Sequence, residues 1–397
     1  MARTRSAKEV TELVDVNKLI EETGAFDCVE CGKCTSVCPA AVFNPEFAPR
    51  LIVVKALEGI KNDPATQKNM WVCLTCEMCN SMCPYKVNYS GFIQGLRASS
   101  FKEGNLPICS QGGLTHTMQR LMANQSLRQN RLGWLTDGLK VSKDKGEVLL
   151  FTGCAYQLGT IYLDRISYLK EVPASAVKIL NAAGIVPVVM PDEVCCGHDL
   201  LWLGDEESFF KLMDKNIELI KATGAKKVVF TCPECYRTFN MDYQDFSGDL
   251  PFEMVHISEF VADAIAEGKL KLGKLEKKFT YHDSCRLGRH MKVYDAPREV
   301  LSAIHGAQLV EMDRTRDKAT CCGVNAWANC DETGKKMQMD RLMEAKKTGA
   351  DAMLTFCPKC EIHFSCATHN KVPVEKSLVD IPVEDFTITI AKALESM

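Results

Sequence analysis

Two kinds of periodicity divide the chain. Over residues 10–24 apolar and charged side chains alternate at helical spacing, with Leu13, Val16, Leu19 and Ile20 on one face. Residues 39–72 carry helical patterning around Leu51, Val54, Leu57 and Ile60, ending in Asn69-Met70-Trp71, and residues 90–103 continue as a helix. Residues 105–142 break the pattern: they are polar, contain Gly112-Gly113 and an amide-rich run at 119–130, and read as a strap between domains. From Glu147 onward short apolar runs alternate with helical stretches. Residues 148–151 and 279–282 read as buried strands, 185–190 as a further strand, and 205–223 as an amphipathic helix, which together make an α/β pattern.

The α/β part occurs twice. One strand ends in Thr152-Gly153-Cys154 and its counterpart in Asp283-Ser284-Cys285. The step from Gly224 to Cys232-Pro233-Glu234-Cys235 equals that from Gly349 to Cys357-Pro358-Lys359-Cys360, and each copy holds a Cys-Cys-Gly, at Cys195-Cys196-Gly197 and Cys321-Cys322-Gly323. Equivalent cysteines lie 131, 126 and 125 residues apart, which marks a tandem duplication. Each copy therefore carries five cysteines, Cys154, Cys195, Cys196, Cys232 and Cys235 in the first and Cys285, Cys321, Cys322, Cys357 and Cys360 in the second, at strand ends where open α/β sheets build their sites. Adjacent thiolates crowd a mononuclear tetrahedral site but suit a polynuclear cluster whose separate irons each take one sulfur.

Composition sharpens this reading. Of 397 residues 21 are cysteine and 46% are hydrophobic, enough for two or three domain cores. Neither a secretory signal nor the size of a disulfide scaffold accompanies those cysteines, so a reduced, cytoplasmic, metal-binding chain is expected. The basic start, residues 1–11, lacks the apolar stretch of a signal peptide. A net charge of -3 gives no electrostatic case for nucleic acid or an anionic membrane surface. No apolar run is long enough to span a bilayer, so a membrane link would come through a partner.

The N-terminal cysteines form two runs, Cys28-x-x-Cys31-x-x-Cys34-x-x-x-Cys38-Pro39 and Cys73-x-x-Cys76-x-x-Cys79-x-x-x-Cys83-Pro84. In the bacterial ferredoxin run the fourth cysteine, before proline, serves the other cluster. Cys28, Cys31, Cys34 and Cys83 are thus assigned to one 4Fe-4S cluster, and Cys73, Cys76, Cys79 and Cys38 to a second. Zinc is the alternative, though four cysteines per run in duplicate exceed what structural zinc uses. The helical spacer between the runs points to an α-helical ferredoxin module. Expected domains are this module at 1–104, a connector at 105–146, and two duplicated α/β Cys-Cys-Gly domains at 147–270 and 271–397.

A ferredoxin module followed by two complete Cys-Cys-Gly domains resembles the heterodisulfide reductase catalytic subunit of the fused type, over nearly the whole chain. The resemblance implies that each five-cysteine set holds a non-cubane 4Fe-4S cluster. It also implies that a disulfide of the coenzyme M and coenzyme B type is split between the two sets, with electrons entering through the ferredoxin clusters from a membrane cytochrome or flavoprotein subunit. No dinucleotide fingerprint is present, so this chain is not expected to bind flavin or NAD. An alternative is a Cys-Cys-Gly electron-transfer subunit of a larger anaerobic complex, such as one oxidising lactate, reducing sulfite or reducing benzoyl-CoA, without its own disulfide.

Side chains next to the sets divide between chemistry and structure. His198 and His282 are candidate proton donors for product thiolates, or hydrogen-bond partners of cluster sulfurs. Arg286, Arg289 and His290 are read as binders of acidic substrate groups or as a solvated basic turn. Trp71 is read as a core aromatic, and Cys109, Cys330 and Cys366 as non-ligands. Anaerobically purified protein is expected to carry roughly sixteen irons per chain; elemental analysis finding zinc in their place would overturn the whole scheme.

Overall fold

The computed structural model describes residues 14–60, 64–124, 126–369 and 375–396. The basic start and the first residues of the expected 10–24 helix, Leu13 among them, lie outside these. The described part of that helix runs Val16–Glu22, capped by Asp15, whose carboxylate accepts from Asn17 N at 2.9 Å, and buries Val16, Leu19 and Ile20.

The cysteine-bearing module is built of short helices, Lys33–Ser36, Pro39–Phe43, Pro49–Leu57, Pro64–Met70 and Met78–Met82, then a long one, Tyr89–Lys102. Prolines start three of them, where a missing N–H costs nothing. The row Leu51, Leu57 and Ile60 turns outward, Leu51 being 42% exposed, and Ile52, Val53 and Ala56 pack inward instead. This stretch is apolar nearly all round, so period alone does not choose its face; the row with the small Ala56 is the one that packs. Helix Tyr89–Lys102 is buried along almost its whole length. Its small residues allow the close approach: a Cβ on Gly95 would collide with Leu19.

Among the described residues seven strands form two parallel sheets. β1 (Val148–Phe151), β2 (Lys227–Phe230) and β3 (Glu253–His256) lie in that order, and β4 (Lys274–Tyr281), β5 (His305–Leu309), β6 (Ala352–Thr355) and β7 (Val383–Asp385) in the order β5-β4-β6-β7. The segment 185–190, expected as a strand, lies beside β1 where β5 lies beside β4, but it pairs only at Val188, through Leu150 N to Val188 O (2.9 Å) and Val188 N to Val148 O (2.8 Å). Its other edge faces Ser142, whose N donates to Pro187 O and whose O accepts from Val189 N, each at 2.9 Å. The expected helix at 205–223 is Glu206–Thr223, capped by Asp205 and ended by Gly224 at φ +74°.

The copies pack about a pseudo-two-fold. Helix Val172–Ala182, which follows β1, packs on Phe386–Glu395, which follows β7; reciprocally, Ile257–Ala266 after β3 packs on Asp295–Ala303 after β4. One core joins both sheets, and another joins the helical module to the second copy. The polar strap is not featureless: it contains helix Leu114–Met122, with Thr115, His116, Gln119 and Met122 buried.

Gly204 carries the seam between module and first copy. Its φ is +96°, and a Cβ there would lie 2.5 Å from Arg97 O and 2.9 Å from Ala98 Cα. Gly204→Ala is expected to cost about 2–4 kcal/mol, read as a lowered denaturation midpoint of the anaerobic protein; an unchanged midpoint would show the seam to be slack.

Candidate metal centres

In the helical module Cys28, Cys31, Cys34 and Cys83 line one small cavity, with Cys79 at its edge, and Cys38, Cys73, Cys76 and Cys79 line a second. Each Cys-Pro cysteine thus leaves its own run for the other's cavity. Left-handed residues curl the backbone so that thiols converge: Glu30 and Gly32 before the first helix, Thr75 and Glu77 in the second run. Cys31 is exposed whereas Cys73 and Cys76 are buried. Burial pushes the Cys73 thiol up to about 11 and that of Cys79 well above its ordinary value, so these sulfurs ionise only against compensating positive charge.

Each five-cysteine set forms the same chain of thiol contacts, Cys154–Cys195–Cys196–Cys235–Cys232 in the first copy and Cys285–Cys321–Cys322–Cys360–Cys357 in the second. Gly197 and Gly323, at φ +80° and +91°, turn their N–H groups back onto Cys195 and Cys321 Sγ at 3.4 and 3.5 Å. Hydrogen bonds from Cys195 and Cys235 lower the Cys196 thiol to about 7, and those from Cys321 and Cys360 lower Cys322 to about 6. The sets face each other at their Cys-Pro-x-Cys turns. Cys357 lies within electrostatic reach of Cys232, and the cavity at the first set is closed by Pro358 and Lys359 of the second copy.

Buried carboxylates hold the turns carrying Cys154 and Cys285. Glu193 accepts from Thr152 N, Thr152 Oγ1 and Gly153 N, each at 2.9 Å, and Arg131 bonds Gly153 O and Gln157 Oε1. In the second copy Asp283 accepts both Arg298 Nη atoms at 2.9 Å and Arg316 N at 2.8 Å.

The basic residues after Cys285 are neither solvated nor free for a substrate. Arg286 donates to Thr75 O (2.5 Å), Thr75 Oγ1 (2.7 Å) and His198 Nε2 (2.9 Å), and Arg289 to Cys76 O (2.6 Å). His290 lies between Arg286, Thr75 O and Glu77. All three side chains are buried and tie the second copy to the second cysteine run. Arg289 Nη2 is buried without a partner, close to Cys76, Cys285 and Cys321. An orphaned cationic donor among converging thiols fits an anionic sulfur cluster, so the cysteine sets suit the group their spacing implies.

The two histidines are in unlike places. His198 accepts from Arg286 at Nε2, so its Nδ1–H donates to Asp199 Oδ1 at 3.0 Å, and burial together with Lys359 holds it neutral. His282 accepts from Arg341 Nε at Nδ1 (3.2 Å) and packs edge-on against Phe364. Trp71 is buried, with Arg97 stacked 5.1 Å from its ring centre. Cys109, Cys330 and Cys366 line neither module cavity and stand outside both chains of thiol contacts. Cys109 approaches Pro107 O, Cys330 bonds His363, and Cys366 meets Arg165 at 3.6 Å. Sequence reasoning missed His363, whose Nδ1–H donates to Cys322 O at 2.6 Å; only its position one turn after Cys360 signals it.

A family model described as a cysteine-rich domain matches residues 148–240 and 279–365, and one described as a 4Fe-4S dicluster domain matches residues 16–87. A subunit of the dihydromethanophenazine:CoB--CoM heterodisulfide reductase of Methanosarcina acetivorans is 32% identical, over 92% of this chain and 93% of that one. The chain belongs to this family of heterodisulfide reductase subunits. It is an iron-sulfur oxidoreductase, and family members are named as subunits of larger redox enzymes. It is also similar to the EtfAB:quinone oxidoreductase of Syntrophomonas wolfei, 28% identical over 84% of this chain and 54% of that one. A hypothetical protein from Helicobacter pylori, 12% identical, covers 96% of this chain and 76% of its own with a TM-score of 0.52, a likeness of fold alone. No helix among the described residues is long and apolar enough to cross a membrane.

A Cβ at Gly323 would meet Gly334 O at 2.9 Å on top of the left-handed backbone. Gly323→Ala is therefore expected to remove about a quarter of the iron while the module's share stays. Iron analysis and spectroscopy would check this, and full iron in the variant would mean that the second set tolerates an ordinary backbone there.

Proposed function

We propose that the chain reduces a heterodisulfide of the coenzyme M and coenzyme B type to two thiols, as the disulfide-splitting member of a larger complex. The observation that carries this reading is that both five-cysteine sets are complete and meet at their Cys-Pro-x-Cys turns, with Cys357 within electrostatic reach of Cys232. A relay needs one conducting site; splitting a disulfide into two separately held thiols calls for two sites. The overall change, one disulfide with two electrons and two protons giving two thiols, matches a duplicated site.

In this reading Cys28, Cys31, Cys34 and Cys83 hold one 4Fe-4S cluster, Cys38, Cys73, Cys76 and Cys79 another, and each five-cysteine set a further one. Clusters bound by these cysteines would supply one-electron chemistry; of the residues that would hold them, Cys31 is exposed, the Cys73–Cys76 loop is bonded by Arg286 and Arg289 beside Cys285, and Cys357 lies within electrostatic reach of Cys232. The side chains do the rest. Arg286 and Arg289 fix the Cys73–Cys76 loop against the Cys285 turn, which keeps that junction short and dry. Trp327 and the strap helix, through Thr115, Met118 and Gln119, wall the cavity at the first set. His198, neutral and hydrogen-bonded to Asp199, holds a proton at Nδ1 beside the first set. Electrons arrive from a separate donor protein, a membrane cytochrome or flavoprotein, on the face around Cys31.

The similarity to a quinone oxidoreductase favours a second reading, in which the sites only conduct. Anaerobic, iron-loaded protein with reduced viologen and the coenzyme M–coenzyme B heterodisulfide is expected to release both thiols as viologen is oxidised. Viologen-reducible sites that release no thiol would establish the conducting role instead.

A further inference from the structure

The two Cys-Pro-x-Cys turns carry opposite charges at one repeat position. Glu234 stands between Cys232 and Cys235, and its counterpart, 125 residues on, is Lys359 between Cys357 and Cys360. Both are buried. Lys359 Nζ lies 2.6 Å from Glu234 Oε1 and also pairs with Asp199 Oδ1, two residues after Gly197. Asp199 accepts in addition from Gln119 Nε2 at 2.7 Å and from His198. His198, Asp199 and Glu234 converge closely enough to hold a cation, and the Lys359 ammonium supplies one. The counterpart of Asp199 in the second copy is Asn325, which accepts instead from Arg97 and donates to Trp71 O. The bridge thus runs one way, with acids from the first copy and the base from the second.

A pseudo-two-fold brings equivalent positions toward each other. Two glutamates or two lysines meeting in this interior would be an unpaired buried charge on each side, whereas one of each attract, and only in this facing. The pair sits in the turns that bear the last two cysteines of both sets, so its length sets how far apart the sets stand.

We propose that Lys359 is a positioning residue, its ammonium locking the first copy's Glu234 and Asp199 so that the two five-cysteine sets keep the separation a shared disulfide requires. The need for that separation rests on the function proposed above; the lock itself rests on the contacts. The iron-loaded protein tests it in five forms: K359M, the singles E234K and K359E, the reversed pair E234K/K359E, and the neutral D199N/E234Q/K359M, which leaves no ion unpaired should K359M fail to fold. The neutral form is expected to keep wild-type iron but to lose about tenfold or more in kcat, with a raised KM for the disulfide and an altered magnetic interaction between the two five-cysteine sites. The reversed pair should recover most of both and show non-additive thermal midpoints. Wild-type KM, kcat and magnetic interaction in the neutral form, or a reversed pair no better than its single substitutions, would overturn the proposal. If wild-type protein releases no thiol, the proposed reaction fails, while the magnetic interaction and the thermal cycle still decide the lock.

Discussion

The loop from Cys73 to Cys76 is held by three buried guanidinium groups, and the arrangement of the whole chain depends on that grip. Arg97 donates to Met70 O and Cys73 O, Arg286 to Thr75 O and Arg289 to Cys76 O, so nearly every carbonyl of the loop faces a cation. Burying a guanidinium costs several kcal/mol unless charge or good hydrogen bonds offset it. Carbonyl oxygens meet part of that cost. The remainder falls to the sulfurs: among the groups that hold Arg289 charged are Cys76, Cys285 and Cys321. Docking of the module on the second copy is therefore coupled to the sulfurs being anionic, and hence to the metal that keeps them so.

How much of this is legible in the sequence follows from range. Cysteine spacing within a run is local, and the structure gathers the thiols of each run and each five-cysteine set as their spacing groups them, while helix Glu206–Thr223 lies within the helical stretch expected at 205–223. The segment 185–190 meets β1 at Val188 alone, and nothing in its apolar, β-branched run marks how short that pairing is. The face of helix Pro49–Leu57 is left undetermined by a stretch apolar on every side. Arg286 and Arg289 look like contacts for substrate or solvent because their partners, Thr75 and Cys76, lie some two hundred positions away, and no periodicity joins them. Glu234 and Lys359 are visible as a difference between repeats, but their meeting is a property of the packing.

Divergence between the copies explains why an almost two-fold body docks its module on the two copies by different contacts. The residue after the first cysteine of the set is Ala155 in the first copy and Arg286 in the second. Only the second copy can reach the Thr75 loop. Similarly, Asp199 turns toward Lys359 whereas Asn325 turns toward Trp71 and Arg97. Each difference removes one of the two equivalent docking modes that a symmetric pair would offer. The sequence changes that break the symmetry are the same ones that make the contacts.

The strap completes this division of labour. Its helix Leu114–Met122 reaches the segment after Cys-Cys-Gly in both copies: Gln119 donates to Asp199 Oδ2, and His116 Nε2 donates to Ala326 O at 2.9 Å. Asp199 and Ala326 are one position apart in repeat register, so a single short helix bears on corresponding points of the two halves. A connector meant only to join the module to the first copy would have no reason to bury a histidine and a glutamine. Burying them where both copies converge ties the two halves together from the strap side, through Asp199, the same carboxylate that Lys359 meets from the second copy.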